Sequence, residues 1–147
     1  MKICLACSAG GHLTEMMQIK DAVKGHDVFF LTYNAENSRD LGYRTHFVEN
    51  VTRNPVTLLK NAVQTLRILL RERPGLIIST GAGVAVPACY LGKLLGSKVV
   101  FIETFCMPTR GSLSGRFAYP VADKFLLQWR EQSKNYGKKA EYVGSVF

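Results

Sequence analysis

Three short segments combine small residues with groups able to hold an anion or move a proton. Ser8-Ala9-Gly10-Gly11-His12 follows the apolar run Ile3–Cys7 and precedes a helical pattern. Paired glycines let a backbone approach a ligand closely, and a helix start offers unpaired N–H groups at the positive end of a dipole. Ser8, Gly10 and Gly11 are therefore candidate anion ligands; the bland alternative is a tight turn with no ligand. His12 closes the turn. A neutral imidazole there can act as a general base or hydrogen-bond a substrate hydroxyl; equally, it can cap the helix or stand exposed. The pattern is not the dinucleotide fingerprint, because G-x-G-x-x-G is absent and Leu13-Thr14-Glu15 stands where its third glycine would come.

Ser79-Thr80-Gly81-Ala82-Gly83 repeats the arrangement of strand, small residues and helix start. Two such turns on neighbouring strand ends can together cradle a diphosphate, which adds Thr80, Gly81 and Gly83 to the candidate ligands. The third segment is Ile102-Glu103-Thr104-Phe105, followed by Thr109-Arg110-Gly111-Ser112-Leu113-Ser114-Gly115-Arg116. Glu103 ends a strand on the expected ligand side, so its carboxylate is a second catalytic candidate. Arg110 and Arg116, with Ser112 and Ser114 at a helix start, suit phosphate. The alternative is that Ser112 or Ser114 caps the helix and the arginines are solvated. His26 and His46 flank strands without glycine turns and read as ordinary surface residues.

The elements that must position these groups alternate strand and helix. Strands are expected at Ile3–Cys7, Asp27–Thr32, Thr45–Val48, Leu76–Ser79, Lys98–Glu103, Lys124–Gln128 and Glu141–Val143. Helices are expected from Leu13 to Val23, Pro55 to Arg73, Val84 to Leu95, and Ser112 to Tyr119, with a polar loop at Asn34–Gly42. Pro55 sits where a helix tolerates it and Pro74-Gly75 ends the run. Alternating units with short apolar strands imply one Rossmann-like α/β domain, residues 1–147, with a parallel sheet and flanking helices. Ligands in such sheets bind at the carboxyl ends of the strands, where each glycine turn falls.

Nineteen Lys and Arg against eleven Asp and Glu give a formal net charge of +8, which favours anionic partners. Nucleic acid is disfavoured, since no helix-turn-helix, zinc-finger or aromatic RNA-binding motif is present. Cys4 and Cys7 lie three apart on a strand and so point to opposite faces, unable to pair or share a metal. With Cys89 and Cys106 they read as buried, reduced thiols. No metal-ligand spacing or cofactor motif is found. No segment approaches the roughly 20 apolar residues that span a bilayer. In the helix from Pro55, Leu58, Leu59, Ala62, Val63, Leu66, Leu69 and Leu70 recur at helical spacing beside Lys60, Arg67, Arg71 and Arg73. That stripe reads first as a core face; alternatively, a basic amphipathic helix lies against anionic lipid through Lys60, Arg67 and Arg71.

Both glycine turns, the Ile102–Phe105 segment and the run Leu113-Ser114-Gly115-Arg116 to Tyr119-Pro120-Val121-Ala122-Asp123-Lys124-Phe125 and Gln128-Trp129 together resemble one family. It is the oligosaccharide-biosynthesis family of asparagine-linked-glycosylation protein fourteen, with its PssD- and CpsF-type bacterial relatives; the turns also resemble the acceptor-side half of MurG. The resemblance implies a GT-B glycosyltransferase divided into two polypeptides. This one would hold a polyprenyl-diphosphate-linked sugar at the cytoplasmic face of the membrane, as a peripheral protein, and recruit a partner carrying the UDP-sugar site. By likeness, Gly10, Gly11, Gly81 and Gly83 face the acceptor diphosphate, His12 sits near the acceptor hydroxyl, and Glu103 lies near the same cleft. Eukaryotic members begin with a membrane-spanning anchor, whereas this chain starts at its first strand, implying the prokaryotic form. The end at Val146 and Phe147 is expected to dock the partner. Two other readings stand beside it: a non-catalytic membrane scaffold, and a stand-alone nucleotide-binding enzyme.

Overall fold

Apolar runs of four to six residues, too short for amphipathic helices, become strands covered on both sides. A computed structural model of the chain describes residues 1–147. The order is β1 (Lys2–Cys7), α1 (Gly11–Gln18), β2 (Asp27–Thr32), β3 (Arg44–Phe47), α2 (Pro55–Glu72), β4 (Leu76–Gly81), α3 (Ala85–Leu94), β5 (Lys98–Ile102), α4 (Leu113–Ala118), β6 (Lys124–Leu127) and β7 (Ala140–Tyr142). The helical run expected to reach Val23 stops at Gln18, where Ile19 N donates to Met16 O and tightens the last turn; a short 3-10 segment, Lys20–Val23, follows. The loop expected at Asn34–Gly42 holds another, Glu36–Ser38.

All seven strands pair in parallel, in the order β3-β2-β1-β4-β5-β6-β7. The chain runs outward from β1 to β3, then returns to the other side of β1 as β4. Strand order therefore reverses between β1 and β4, and a crevice opens beyond their carboxyl ends. Alternation along β1 splits the core. Cys4 and Ala6 pack with Phe29, Leu69 and Ala88 under α2 and α3, while Ile3, Leu5 and Cys7 pack with Leu13 and Met16 of α1. A third cluster joins α3 and α4 to β5 and β6 around stacked Phe101 and Phe125, 5.1 Å apart.

Cys4 and Cys7 do lie on opposite faces. Burial pushes the Cys4 thiol well up, and those of Cys7 and Cys89 up to about 12, so all three stay neutral. Cys106 departs from expectation: it is exposed in the loop after β5.

The orientation of α2 overturns the expectation of an apolar core face. Its buried residues are Asn61, Thr65, Leu69 and Glu72. Asn61 Nδ2 donates to Glu49 O (2.7 Å), Thr65 Oγ1 to Asn61 Oδ1 (3.2 Å), and Gln64 Oε1 accepts from Glu49 N (2.6 Å). These bonds tie the helix to the connection from β3 and set which side faces inward. Of the apolar stripe only Leu69 is buried; Leu58, Leu59, Val63 and Leu70 are exposed, together with Val56.

His46 is likewise no ordinary surface residue. Its Nε2 lies 2.8 Å from Glu72 Oε1, while Lys2 Nζ (2.9 Å) and Arg44 (3.3 Å) reach Glu72 Oε2. Burial works against the ionised Glu72, but its hydrogen bonds to Lys2 and His46 and the charges of Arg44 and Lys2 prevail and hold the carboxyl below its usual range. A carboxyl depressed on folding stabilises the fold above its unfolded value, about 4.3, and loses that contribution as pH falls through the folded value. Glu72→Gln should therefore lower the urea midpoint at pH 7 and make its decline below pH 4 shallower than in the wild type.

Candidate functional site

The crevice between β1 and β4 is built by two turns that hold each other. Gly10, at φ +102, adopts a conformation that side-chain-bearing residues avoid, and α1 begins at Gly11 with no side-chain cap. Helix geometry leaves the first N–H groups of α1 without intrahelical partners. A Cβ at Gly11 would meet no protein atom within 4 Å, so packing does not demand this second glycine. Ser8 is half-buried beside them.

In the facing turn β4 carries an irregularity: Ala6 pairs with Ser79 but Cys7 pairs with Gly81, so Thr80 is the extra residue. Thr80 bonds across the crevice instead. Its carbonyl lies 2.8 Å from His12 Nδ1 and its Oγ1 donates to His12 O at 2.7 Å. A carbonyl only accepts, so Nδ1 carries a proton and, in the neutral ring, Nε2 keeps its lone pair. No protein group hydrogen-bonds Nε2. His12 thus has the tautomer, orientation and partial exposure a general base requires. Gly81 (φ +110) lies against the imidazole, where a Cβ would sit 3.3 Å from Cε1. A Cβ at Gly83 would be 2.9 Å from Val51 Cβ, so this glycine is required by packing.

Glu103 is placed differently from expectation. Its side chain is fully buried, with Thr104 N donating to Oε1 (2.8 Å), and Ser112 N (3.1 Å) and Tyr136 Oη donating to Oε2. Burial, then the carboxylate itself, pushes the Tyr136 hydroxyl far up and keeps it a donor. Glu103 positions the loop after β5 and offers no free oxygen to a substrate. Gly115 belongs to the same arrangement, since a Cβ there would overlap Glu103 Oε2. Ser112 and Ser114 are also used internally: Ser112 Oγ caps α4 by accepting from Gly115 N (2.9 Å), and Ser114 Oγ accepts from Ala82 N (3.1 Å). Arg110 and Arg116 are exposed and not drawn into the crevice; Arg116 lines a separate hollow with Tyr119, Lys134 and Tyr136.

Glu15 was not singled out among the sequence candidates except as the residue standing where a third glycine would come. It projects from α1 into the protein, where Oε1 accepts from Thr104 Oγ1 (2.9 Å) and Phe105 N (3.1 Å), and Oε2 from Gln128 Nε2 (3.1 Å). Burial raises its carboxyl above the usual range against the lowering pull of these donors and of His12. Gln128 also donates to Glu103 O, and Gln132 to Thr104 O and Met107 O. The loop after β5 is therefore clamped from three sides. At the chain's end Val146 N donates to Gln128 Oε1, and Phe147, exposed, packs edge-on against Phe105 at 5.2 Å.

A parallel sheet of this order, with glycine turns facing each other at its switch point, is one Rossmann-like domain of the GT-B fold. Solved structures agree: the chain superposes on Acinetobacter baumannii MurG with a TM-score of 0.80 at 15% identity, covering 99% of this chain and 46% of that one. Against the UDP-GlcNAc 2-epimerase of Methanocaldococcus jannaschii the TM-score is 0.78 at 14% identity, with 99% and 46% covered. Residues 44–146 match the family described as oligosaccharide biosynthesis protein Alg14 like, and the chain belongs to that family. Among relatives, the UDP-N-acetylglucosamine transferase subunit alg14 of Schizosaccharomyces pombe is 41% identical over 78 residues, 50% of this chain and 37% of the relative. The human subunit ALG14 is 22% identical over an alignment covering 99% of this chain and 83% of the relative. The chain thus spans 37% of the fission-yeast relative and just under half of each of these two solved structures. No helix is long and apolar enough to cross a membrane.

Proposed function

We propose that the chain is the acceptor-binding subunit of a two-component glycosyltransferase that moves N-acetylglucosamine from a UDP carrier to a polyprenyl-diphosphate-linked sugar. The observation that carries this reading is the His12–Thr80 pair: a histidine with Nδ1–H held and Nε2 free, beside an uncapped helix start lined by glycines. The acceptor diphosphate binds the N–H groups of the Gly10–Gly11 turn; the facing turn braces His12, since Thr80 bonds to it and the N–H groups of Gly81 and Ala82 are held by Ser79 and Ser114. His12 Nε2 takes the proton of the acceptor hydroxyl as its oxygen attacks the anomeric carbon; the bond to UDP breaks, UDP leaves with the electron pair, and the configuration inverts. The donor belongs to a partner subunit that closes over the crevice and contacts Val146 and Phe147. The relatives named as UDP-N-acetylglucosamine transferase subunits support both the donor and the division of labour.

Turnover of UDP-N-acetylglucosamine on a polyprenyl-diphosphate-sugar acceptor, measured with this chain alone and then with its partner, tests the reading. Product only in the mixture is expected; product from this chain alone would overturn the division.

The same reading places the protein on the cytoplasmic face of a membrane through α2. Leu59 is 66% and Leu70 50% exposed, and Lys60, Arg67 and Arg71 stand exposed beside them. Apolar side chains enter the acyl boundary while the basic ones meet anionic headgroups. Replacing Lys60, Arg67 and Arg71 together with glutamate changes the charge by six, and should release the protein from anionic vesicles in a flotation assay without altering its circular dichroism.

A further inference from the structure

Arg116, which the sequence marks as suited to phosphate, stands outside the crevice. It lines a hollow of about 290 Å³ between the end of α4 and the 3-10 segment Arg130–Asn135. Tyr119, Lys134, Asn135, Tyr136 and Gly137 complete the lining, and no carboxylate is among them. Arg116 and Lys134 are exposed, and neither takes part in the chain's salt bridges. Tyr119 Oη accepts from Lys139 N (3.4 Å) and donates to no group of the chain, so its hydrogen is free for a ligand. A Cβ at Gly137 would lie 2.8 Å from that oxygen, so the glycine is what lets the backbone close over the hydroxyl. The walls are fixed from behind. Asn135 Nδ2 donates to Thr109 O (3.1 Å) and Gln132 O (3.2 Å). Lys139 Nζ lies 4.6 Å from the centre of the Tyr119 ring, a third positive charge at the back of the hollow.

We infer that this hollow is a second anion site, separate from the crevice, and that it takes a phosphate monoester between Arg116, Lys134 and the Tyr119 hydroxyl. The inference does not rest on the transferase reading. Two cations that face one concavity repel each other until an anion joins them. A phosphate monoester carries a charge of about −1.5 to −2 at pH 7 and presents three acceptor oxygens. That matches two cations and one neutral donor: the guanidinium fork can hold two oxygens, while the ammonium and the hydroxyl share the third. A diester, with a single negative charge, leaves one cation unanswered. The site also has a place in the rest of the molecule. Tyr136, in its wall, donates to Glu103 Oε2, and the Arg116 charge opposes the rise that burial imposes on that hydroxyl. A phosphate in the hollow therefore sits directly behind the loop after β5, which Glu103 holds. A lipid headgroup and a small soluble phosphate present the same dianion.

The test follows the backbone amide signals of the isotope-labelled chain by NMR while three probes are added: inorganic phosphate, dimethyl phosphate, and dihexanoyl phosphatidic acid below its micelle concentration. Inorganic phosphate should shift the amides of Lys134, Asn135 and Gly137 saturably, and dimethyl phosphate should bind there at least about tenfold more weakly, having lost one charge. The double variant Arg116→Gln, Lys134→Gln loses both charge-assisted partners and should weaken phosphate binding at these amides by at least about tenfold. The response of Gly10 and Gly11 should stay as in the wild type. Lys138→Gln removes a charge beside the hollow without altering its lining and should bind as the wild type does. Phosphatidic acid binding more tightly than inorganic phosphate would assign the site to a lipid headgroup, and equal affinity to a soluble phosphate. Three results would overturn the site: no saturable shift at Lys134–Gly137, equal binding of monoester and diester, or a loss in Lys138→Gln as large as in the double variant. Each leaves the crevice and its reading untouched.

Discussion

His12→Ala is expected to lower kcat of the assembled transferase by about 10²–10⁴-fold, the range a positioned general base contributes, while KM for the lipid acceptor changes little. The Nδ1–H bond to Thr80 O fixes the ring and its tautomer, so His12→Ala removes a brace between the turns as well as the base. His12→Asn keeps a donor toward Thr80 but has no basic nitrogen at the Nε2 position; it should restore the packing of the turns and none of the rate. Steady-state kinetics with both variants, alongside their thermal midpoints, check this. Unchanged turnover by His12→Ala would remove the base assignment. A rate restored by His12→Asn would show that the ring only braces the turns.

The second large effect is on stability. Glu15→Ala should destabilise the fold by about 3–5 kcal/mol, because Thr104 Oγ1, Phe105 N and Gln128 Nε2 each lose a buried acceptor. Glu15→Gln is milder, about 1–2 kcal/mol: its carbonyl oxygen can keep Thr104 and Phe105, but its amide group then meets the amide of Gln128 donor to donor. Urea denaturation of the two variants should give that order. A Glu15→Ala protein as stable as the wild type would mean that Glu103, Gln132 and Trp129, whose Nε1 donates to Phe105 O (2.8 Å), hold the loop after β5 without it.

Much of the architecture was legible because its signals are local. Apolar runs marked the central strands β1, β2, β4 and β5, and Ser8–His12 and Ser79–Gly83 announced themselves by composition. Their position at the carboxyl ends of strands followed from alternation of strand and helix; the reversal of strand order between β1 and β4 came from the structure. Two features were not legible, for different physical reasons. Helical periodicity states which residues of α2 share a side, but not whether that side faces the sheet or the solvent. Here the deciding bonds come from Asn61 and Gln64 to Glu49, polar residues that a hydrophobicity pattern assigns outward. The roles of Glu15, Gln128 and Gln132 were not legible because they lie in distant partners: Glu15 meets Thr104 and Gln128 at separations of 89 and 113 residues. Glu103 was found, yet its task was misread, because a strand-end carboxylate looks the same in sequence whether it faces a substrate or braces a loop.

The polar inner side of α2 has a mechanical consequence. A helix resting on hydrocarbon is held by interdigitated side chains alone. One pinned through Asn61 and Gln64 to the backbone of Glu49 cannot slip without breaking directional bonds. Load applied to its outer side is therefore carried into the segment from Glu49 to Val51, whose last residue abuts Gly83. α2 is thus tied, through the segment from Glu49 to Val51, to the wall of the second glycine turn by bonds that fix its register.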